Sequence, residues 1–264
     1  MGKKYLFFLG GYDLEMLTIK ELLISSNYAI VDKSLHWGAK LSDYNSELLS
    51  LQNDEIPVLI ELEIDCDKPQ NAVIIDHHGV CQLYPSSLEQ VANFLNIKLN
   101  RWQKLVATND EGYIDAMLLL GASDSEIKDI RQKDRIISGA TPQDEIDAKC
   151  SVENITLLSN IVICESLTDS FACVVDRLPY KGKKIVYNNK KLVCYGFDLK
   201  QLKQEFACEI DTNSVYFGGG EYGFFGFKDN LFNTAEIKNR ILDMKEVSKP
   251  YSEHIFIFPF KFDN

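Results

Sequence analysis

Apolar and polar positions along the first half of the chain switch repeatedly between two rhythms. Nearly continuous apolar runs, KYLFFLG (Lys4 to Gly10), YAIVDK (Tyr28 to Lys33), PVLIELE (Pro57 to Glu63) and NAVIIDH (Asn71 to His77), read as strands. The stretches between the first three, LEMLTIKELLISS and LSDYNSELLSLQ, have helical spacing. Apolar runs of this kind fit strands buried on both faces, so the pattern predicts an α/β fold whose N-terminal sheet is mainly parallel with helices on both faces. Around residues 100 to 150 the pattern turns helical, through NRWQKLVATND, GYIDAMLLLG, SDSEIKDIRQKDRIISG and TPQDEIDAKCSVENI.

A boundary is expected near Val152 to Asn154, dividing the chain into 1–152 and a smaller α+β domain at 153–264. In that second part TLLSNIVICES, FACVVDRL, KKIVYNN, KLVCYGF, SVYFGGG and HIFIFPFKF read as strands, and YNNKKL as a hairpin turn. DLKQLKQEFACEI and TAEIKNRILDMKEV read as helices.

Composition narrows the function. The chain has 264 residues and is 45% hydrophobic, enough for one large core or two modest ones. No apolar run approaches the roughly 20 residues of a membrane span. The start, MGKKYLFFLGGYD, lacks a small-residue cleavage site and runs into an acidic motif, so it reads as a first strand and not a signal peptide. Seven cysteines without CxxC spacing fit a reduced, cytoplasmic setting. A formal charge of −11 weighs against duplex nucleic acid as a partner, while leaving room for a small phosphorylated ligand at a metal-containing site.

The chemistry gathers at the predicted strand ends, where ligands collect in open α/β sheets. Asp76, His77 and His78 follow the fourth run, and Asp13 and Glu15 follow a glycine turn after the first. Glu61 and Glu63 close the third and are expected to share one strand face by alternation. Asp110 follows a helical apolar run in ATNDEGY. Each has a plain alternative: Asp13 and Glu15 as helix-capping acids, Asp76 as a turn cap, the histidines facing solvent. Taken together, several oxygens and an imidazole from separate segments suit Mn2+ or a similar divalent ion better than structural zinc. Such an ion lowers the pKa of bound water and clamps phosphoryl oxygens.

Other polar positions are open to two readings. His36, Trp37 and Lys40, in SLHWGAKLSDY at the same sheet edge, suit either base stacking and phosphate neutralisation or an ordinary surface loop. Ser86 and Ser87 in PSSLEQV form either an anion seat or a plain N-cap. Arg131 and Arg135, one helical turn apart, either reach a phosphate or line a solvated face.

The run VIIDHHG, with an acid pair after the first strand, an acid after the third and an isolated aspartate before a glycine, resembles the DHH phosphoesterase superfamily. Its members include manganese-dependent pyrophosphatases, RecJ-type exonucleases, nanoRNA hydrolases and cyclic-dinucleotide phosphodiesterases. VYFGGGEYGFFGF is similar to the glycine-rich element of the DHH-associated C-terminal domain, where the backbone approaches substrate.

The resemblance implies metal ligation by Asp13, Glu15, Glu61, His77 and Asp110, and substrate contacts at Gly218, Gly219 and Gly220. It makes Asp76 a carboxylate that orients an imidazole and His78 the electrophile or proton donor facing substrate. The chain departs from the family at four places: Leu9 stands where a histidine is usual, Glu15 and Glu61 replace aspartates, and Glu221 replaces a histidine after the glycines. The altered set implies one well-held ion or a shifted pair, Mn2+ with Mg2+ as substitute. A metal-dependent phosphoesterase acting on a small nucleotide or short oligonucleotide follows, with Ser86, Ser87, His36, Lys40 and Arg135 as further substrate contacts. A homodimer is a further expectation. The rival reading is a degenerate relative that binds a nucleotide without hydrolysing it.

Overall fold

A computed structural model describes residues 3–78, 84–179, 182–218, 223–228 and 233–244. Four strands, β1 (Lys4–Leu9), β2 (Ala29–Val31), β3 (Glu55–Ile60) and β4 (Val73–Ile75), form a sheet in the order β2-β1-β3-β4. All its pairings are parallel, with Phe8 opposite both Val31 and Leu59, and Ile60 opposite Ile75.

Side-chain alternation sends Phe7 and Leu9 to one face and Phe8 to the other. The first face is covered by α1 (Leu14–Ser25), α3 (Ser87–Leu95), α4 (Arg101–Leu119) and α5 (Asp124–Ile137), which bury Ile19, Val91, Leu105 and Ile130 there. The second is covered more thinly, by a single turn of 3-10 helix at Leu41–Tyr44 and α2 (Asn45–Leu49). Burial on both faces explains why these strands read as unbroken apolar runs. The helix starts are fixed locally, by capping boxes at Asn100 with Gln103 and Ser123 with Glu126.

The second sheet is mixed: β5 (Thr156–Leu158), β6 (Ile161–Glu165), β7 (Lys183–Tyr187), β8 (Leu192–Tyr195), β9 (Val215–Gly218) and β10 (Phe224–Phe227), in the order β5-β6-β7-β8-β10-β9. Only β6 and β7 pair in parallel. That pairing corrects one expectation. FACVVDRL is not a strand; Phe171–Val175 is a helix, α7, because two parallel neighbours need a crossover between them. A short apolar run carries no periodicity that separates the two possibilities. The hairpin predicted at YNNKKL joins antiparallel β7 and β8.

The second core falls on the two faces of this sheet. One face packs against α8 (Leu199–Glu205), α9 (Ala207–Asp211) and α10 (Thr234–Asp243) around Phe206, Phe225 and Phe227. On the other, Ala148 of α6 (Pro142–Val152) joins Val174 and Val186, so α6 packs into the second core although it precedes the boundary expected at Val152 to Asn154. The strand expected at HIFIFPFKF lies outside the described residues. No described helix is long and apolar enough to cross a membrane.

Phe225 is fully buried and contacts three aromatic rings, those of Phe206, Phe217 and Phe227. Phe225→Ala is expected to cost about 3–5 kcal/mol, read from the urea midpoint. A loss below about 1 kcal/mol would show that this sheet does not depend on its aromatic layer.

Candidate metal centre

The strand order places β2 on one side of β1 and β3 on the other, so the chain leaves β1 in a crevice where connections diverge. Two glycines line it. A Cβ on Gly10 would stand 2.4 Å from the Glu61 carbonyl oxygen and 2.6 Å from that of Ile60. A Cβ on Gly11 would stand 2.9 Å from the His36 carbonyl oxygen and from the Trp37 Cα. Only residues without a side chain let β1 leave between the ends of both neighbouring strands.

Asp13 then caps α1, its Oδ1 accepting the Met16 N–H at 2.7 Å. Glu15 follows in the first turn and is 2% exposed. Its Oε1 accepts the Leu88 N–H at 2.9 Å, which leaves Oε2 directed elsewhere.

Glu61 leaves β3 with a left-handed φ of 50°, while its N–H still continues the ladder by donating to the Ile75 carbonyl at 2.9 Å. This conformation is costly for a residue with a Cβ. It also breaks strand alternation. Of the two acids expected to share one strand face, Glu61 is half-buried and reaches the cluster described next, and Glu63 is exposed.

From β4, His77 turns inward. Its Nε2 stands 2.8 Å from Asp110 Oδ2, 3.3 Å from Glu61 Oε1 and 3.6 Å from Glu15 Oε2. All four atoms are buried, and none has a well-formed hydrogen bond. They fall into two overlapping sets with metal-ligand spacing, Glu15-His77-Asp110 and Glu61-His77-His78, each within 4.8 Å.

The electrostatics follow from this crowding. Burial works against a charged His77, but Asp110 and Glu61 outweigh it and hold the imidazole up to about 10. Burial, with repulsion from Asp110 and Glu61, raises Glu15 well above the carboxylate range. Burial, with the same two neighbours, takes Asp13 to about 7. A divalent cation among these atoms would replace the shared proton, with neutral His77 as its nitrogen ligand. Three carboxylate oxygens and one imidazole suit a hard or borderline ion of the Mn2+ or Mg2+ kind.

The remaining expected residues divide. Asp76 accepts the His78 N–H at 2.8 Å, and its Oδ1 lies 3.1 Å from His78 Nδ1. It orients His78, the half-exposed imidazole, not His77. That contact raises His78, and in return His78 lowers Asp76 despite burial. Asp13 belongs to neither metal-ligand set, its Oδ1 being the helix cap.

Ser86 and Ser87 are fully buried at the start of α3. The seat expected there for a substrate anion is taken by the chain's own carboxylates: Glu111 accepts the Ser86 N–H at 2.6 Å and Glu15 that of Leu88. Ser86 Oγ is the N-cap. His36 and Lys40 are exposed beyond β2, with Trp37 at 88% exposure.

Arg131 and Arg135 do not form a solvated face. They are 5% and 7% exposed, and Arg135 pairs with Glu145 at 2.8 Å and with Asp176. Gly218 ends β9, and Gly219 and Gly220 lie outside the described residues. One further acid lies near, Asp134 of α5: burial raises it and outweighs its pairing with Arg131 at 2.5 Å, with Asp176 and Asp110 adding to the rise. An acid in an amphipathic helix reads as solvated, so the sequence carries no signal for it.

No protein-family profile matches the chain, and no curated protein matches it. Among solved structures, a DHH-domain protein described as a member of a family of ribosomal proteins matches at 12% identity and a TM-score of 0.51. The match covers 93% of this chain and 88% of that one. The chain has the DHH-domain fold. A manganese-bound exonuclease RecJ matches more loosely, at 10% identity and a TM-score of 0.41 over 90% of this chain and 89% of that one. RecJ from Thermus thermophilus with Mn2+ matches at 9% identity and 0.45, over 90% of this chain and 51% of that one. In this DHH-fold chain the Asp76-His77-His78 run stands where β4 ends, beside the ends of β1 and β3.

Glycine tolerates the left-handed backbone at position 61 and removes one of the crowded carboxylates. Glu61→Gly is therefore expected to be at least as stable as the parent in metal-free buffer. It should also lose most of the roughly 2.7 kcal/mol that Mn2+ at a hundredfold excess over its dissociation constant gives a binding protein. Urea melts with and without Mn2+ check both; full Mn2+ stabilisation of the variant would remove Glu61 from the centre.

Proposed function

We propose that the protein is a metal-dependent phosphoesterase hydrolysing small phosphodiesters, such as short oligonucleotides or nucleotide second messengers. The reading rests on one observation: buried atoms of Glu15, Glu61, His77 and Asp110, each without a well-formed hydrogen bond, converge at the strand ends of a DHH fold. Mn2+ is the proposed ion, one or two in number, with Mg2+ as substitute. Bound there, it supplies Lewis-acid stabilisation of phosphoryl oxygens and activates water for attack.

The chain's own groups divide the remaining work. His77 offers Nε2 as a neutral ligand among the three carboxylates of Glu15, Glu61 and Asp110. Asp13 lies close enough to Glu61 and Asp110 for their charge to raise it, and sets the start of α1. Asp76 fixes His78 through Nδ1 and favours its protonated form. His78 Nε2 then serves as donor to a substrate oxygen where charge develops, or to the leaving group. The net charge of −11 favours a small substrate over a long polyanion. Exposed His36 and Lys40 beyond β2 are the proposed contacts for a phosphate, and Gly218 to Gly220 for the far side of the substrate.

A second reading has its own support. Leu9, where the family usually has a histidine, is 1% exposed in the core, so no imidazole comes from the end of β1. A protein holding a nucleotide in this crevice without hydrolysis fits that loss.

Metal-stripped protein resupplied with Mn2+ or Mg2+ separates the two, assayed against dinucleotides, cyclic dinucleotides and pyrophosphate beside His77→Ala. Metal-dependent turnover of a phosphodiester is expected, falling by at least about a hundredfold in the variant. Nucleotide binding with no turnover by metal-loaded protein would favour the binding role instead.

A further inference from the structure

The helix that supplies Asp110 is broken two residues after it. Gly112 (φ −158°, ψ 23°) and Tyr113 (φ 59°, ψ −148°) leave helical geometry inside α4, and the Tyr113 conformation is strained for any residue with a Cβ. Such a conformation persists only where its surroundings over-determine it. Here the surroundings come from the second half of the chain. The Tyr113 hydroxyl donates to Asp176, the residue that ends α7, and the Arg131 guanidinium lies 4.1 Å above the Tyr113 ring.

Arg131 joins three elements. Its Nε donates to Asp176 Oδ2 at 3.2 Å, and its Nη1 donates to Asn109 Oδ1 at 3.0 Å and to Asp134 Oδ2 at 2.5 Å. Arg135 also pairs with Asp176, whose side chain is 5% exposed. Asp110 is thus held from both sides along α4, by Asn109 before it and Tyr113 after it. Both holds run to the same carboxylate.

We propose that Asp176 is a positioning residue for the metal centre: through Arg131, Asn109 and Tyr113 it fixes the α4 break, and so the place of Asp110, making ion affinity depend on how the second unit docks. This rests on the metal-centre reading above. A chain of hydrogen bonds from a carboxylate to a ligand-bearing segment, buried where Arg131 meets Asn109, is the physical form such coupling takes. Ion affinity is steeply sensitive to it, because ligand distances tolerate only tenths of an ångström.

The test follows Mn2+ binding by electron paramagnetic resonance of the free ion, on the full chain, Asp176→Asn, Tyr113→Phe and Arg177→Ala. Arg177→Ala is the control, since it breaks a neighbouring ion pair to Glu145 and touches neither Arg131 nor α4. Asp176→Asn is expected to bind Mn2+ about tenfold more weakly, Tyr113→Phe several-fold more weakly, and Arg177→Ala like the parent. A parent that binds no Mn2+ would remove the centre itself and both readings with it. A parent that binds, with unchanged affinity in Asp176→Asn and Tyr113→Phe, would overturn the positioning role alone. Equal weakening in Arg177→Ala would overturn it too, by showing general loosening. Should Asp176→Asn not fold, Tyr113→Phe against Arg177→Ala decides.

Discussion

Three carboxylates stand within 3.6 Å of one imidazole nitrogen, and the N-terminal half of the chain is arranged to hold them there. Two like charges about 4 Å apart repel by about 4 kcal/mol at an effective dielectric of 20. A domain's whole stability is about 5–15 kcal/mol. Side chains in such a cluster would swing apart if their backbones allowed it. The backbones do not: Glu15 is tied through its other oxygen to α3, and Glu61 leaves a central strand whose ladder bond to Ile75 is still made. A cation at the centre would turn the same arrangement from a cost into an attraction.

The glycine pair and the left-handed residue follow from that demand. For Glu15 at the start of α1 to meet Glu61 at the end of β3, the ends of β1 and β3 must touch, and Gly10 is where they do. Gly11 makes the matching contact with the segment after β2. Strain in the turn of Glu61 is offset by the packing of a sheet covered on both faces, with Val58 and Ile60 against the helices and Leu59 against Tyr44 and Leu41.

What could be read from the sequence divides along the same physics. The four parallel strands were legible because burial on both faces forces unbroken apolar runs, and the strand-end acids and histidines because polar residues directly after such runs are unusual. The helical α7 was not, since its five residues are too few for a period. The burial of Arg131 and Arg135 was hidden for another reason: their shared partner Asp176 lies more than 40 residues along the chain, and an arginine one turn from another on a helix of balanced charge carries no mark of it. The left-handed turn at Glu61 is one backbone angle that no residue type announces.

The departures from the family pattern gain a physical meaning from Glu15. This side chain serves two neighbours, with one oxygen on the Leu88 N–H of α3 and the other 3.6 Å from His77. The extra methylene of glutamate gives the reach for both, so the longer carboxylate links α3 to the centre as well as facing it. Position 9 shows the opposite adjustment. Leu9 packs into the core, and only its backbone takes part, its carbonyl accepting the Tyr44 hydroxyl at 2.6 Å. No imidazole therefore comes from the end of β1. The donors that converge come from the start of α1, the ends of β3 and β4, and α4, and Asp110, the carboxylate nearest His77, lies on the helix that the second half of the chain braces at Tyr113.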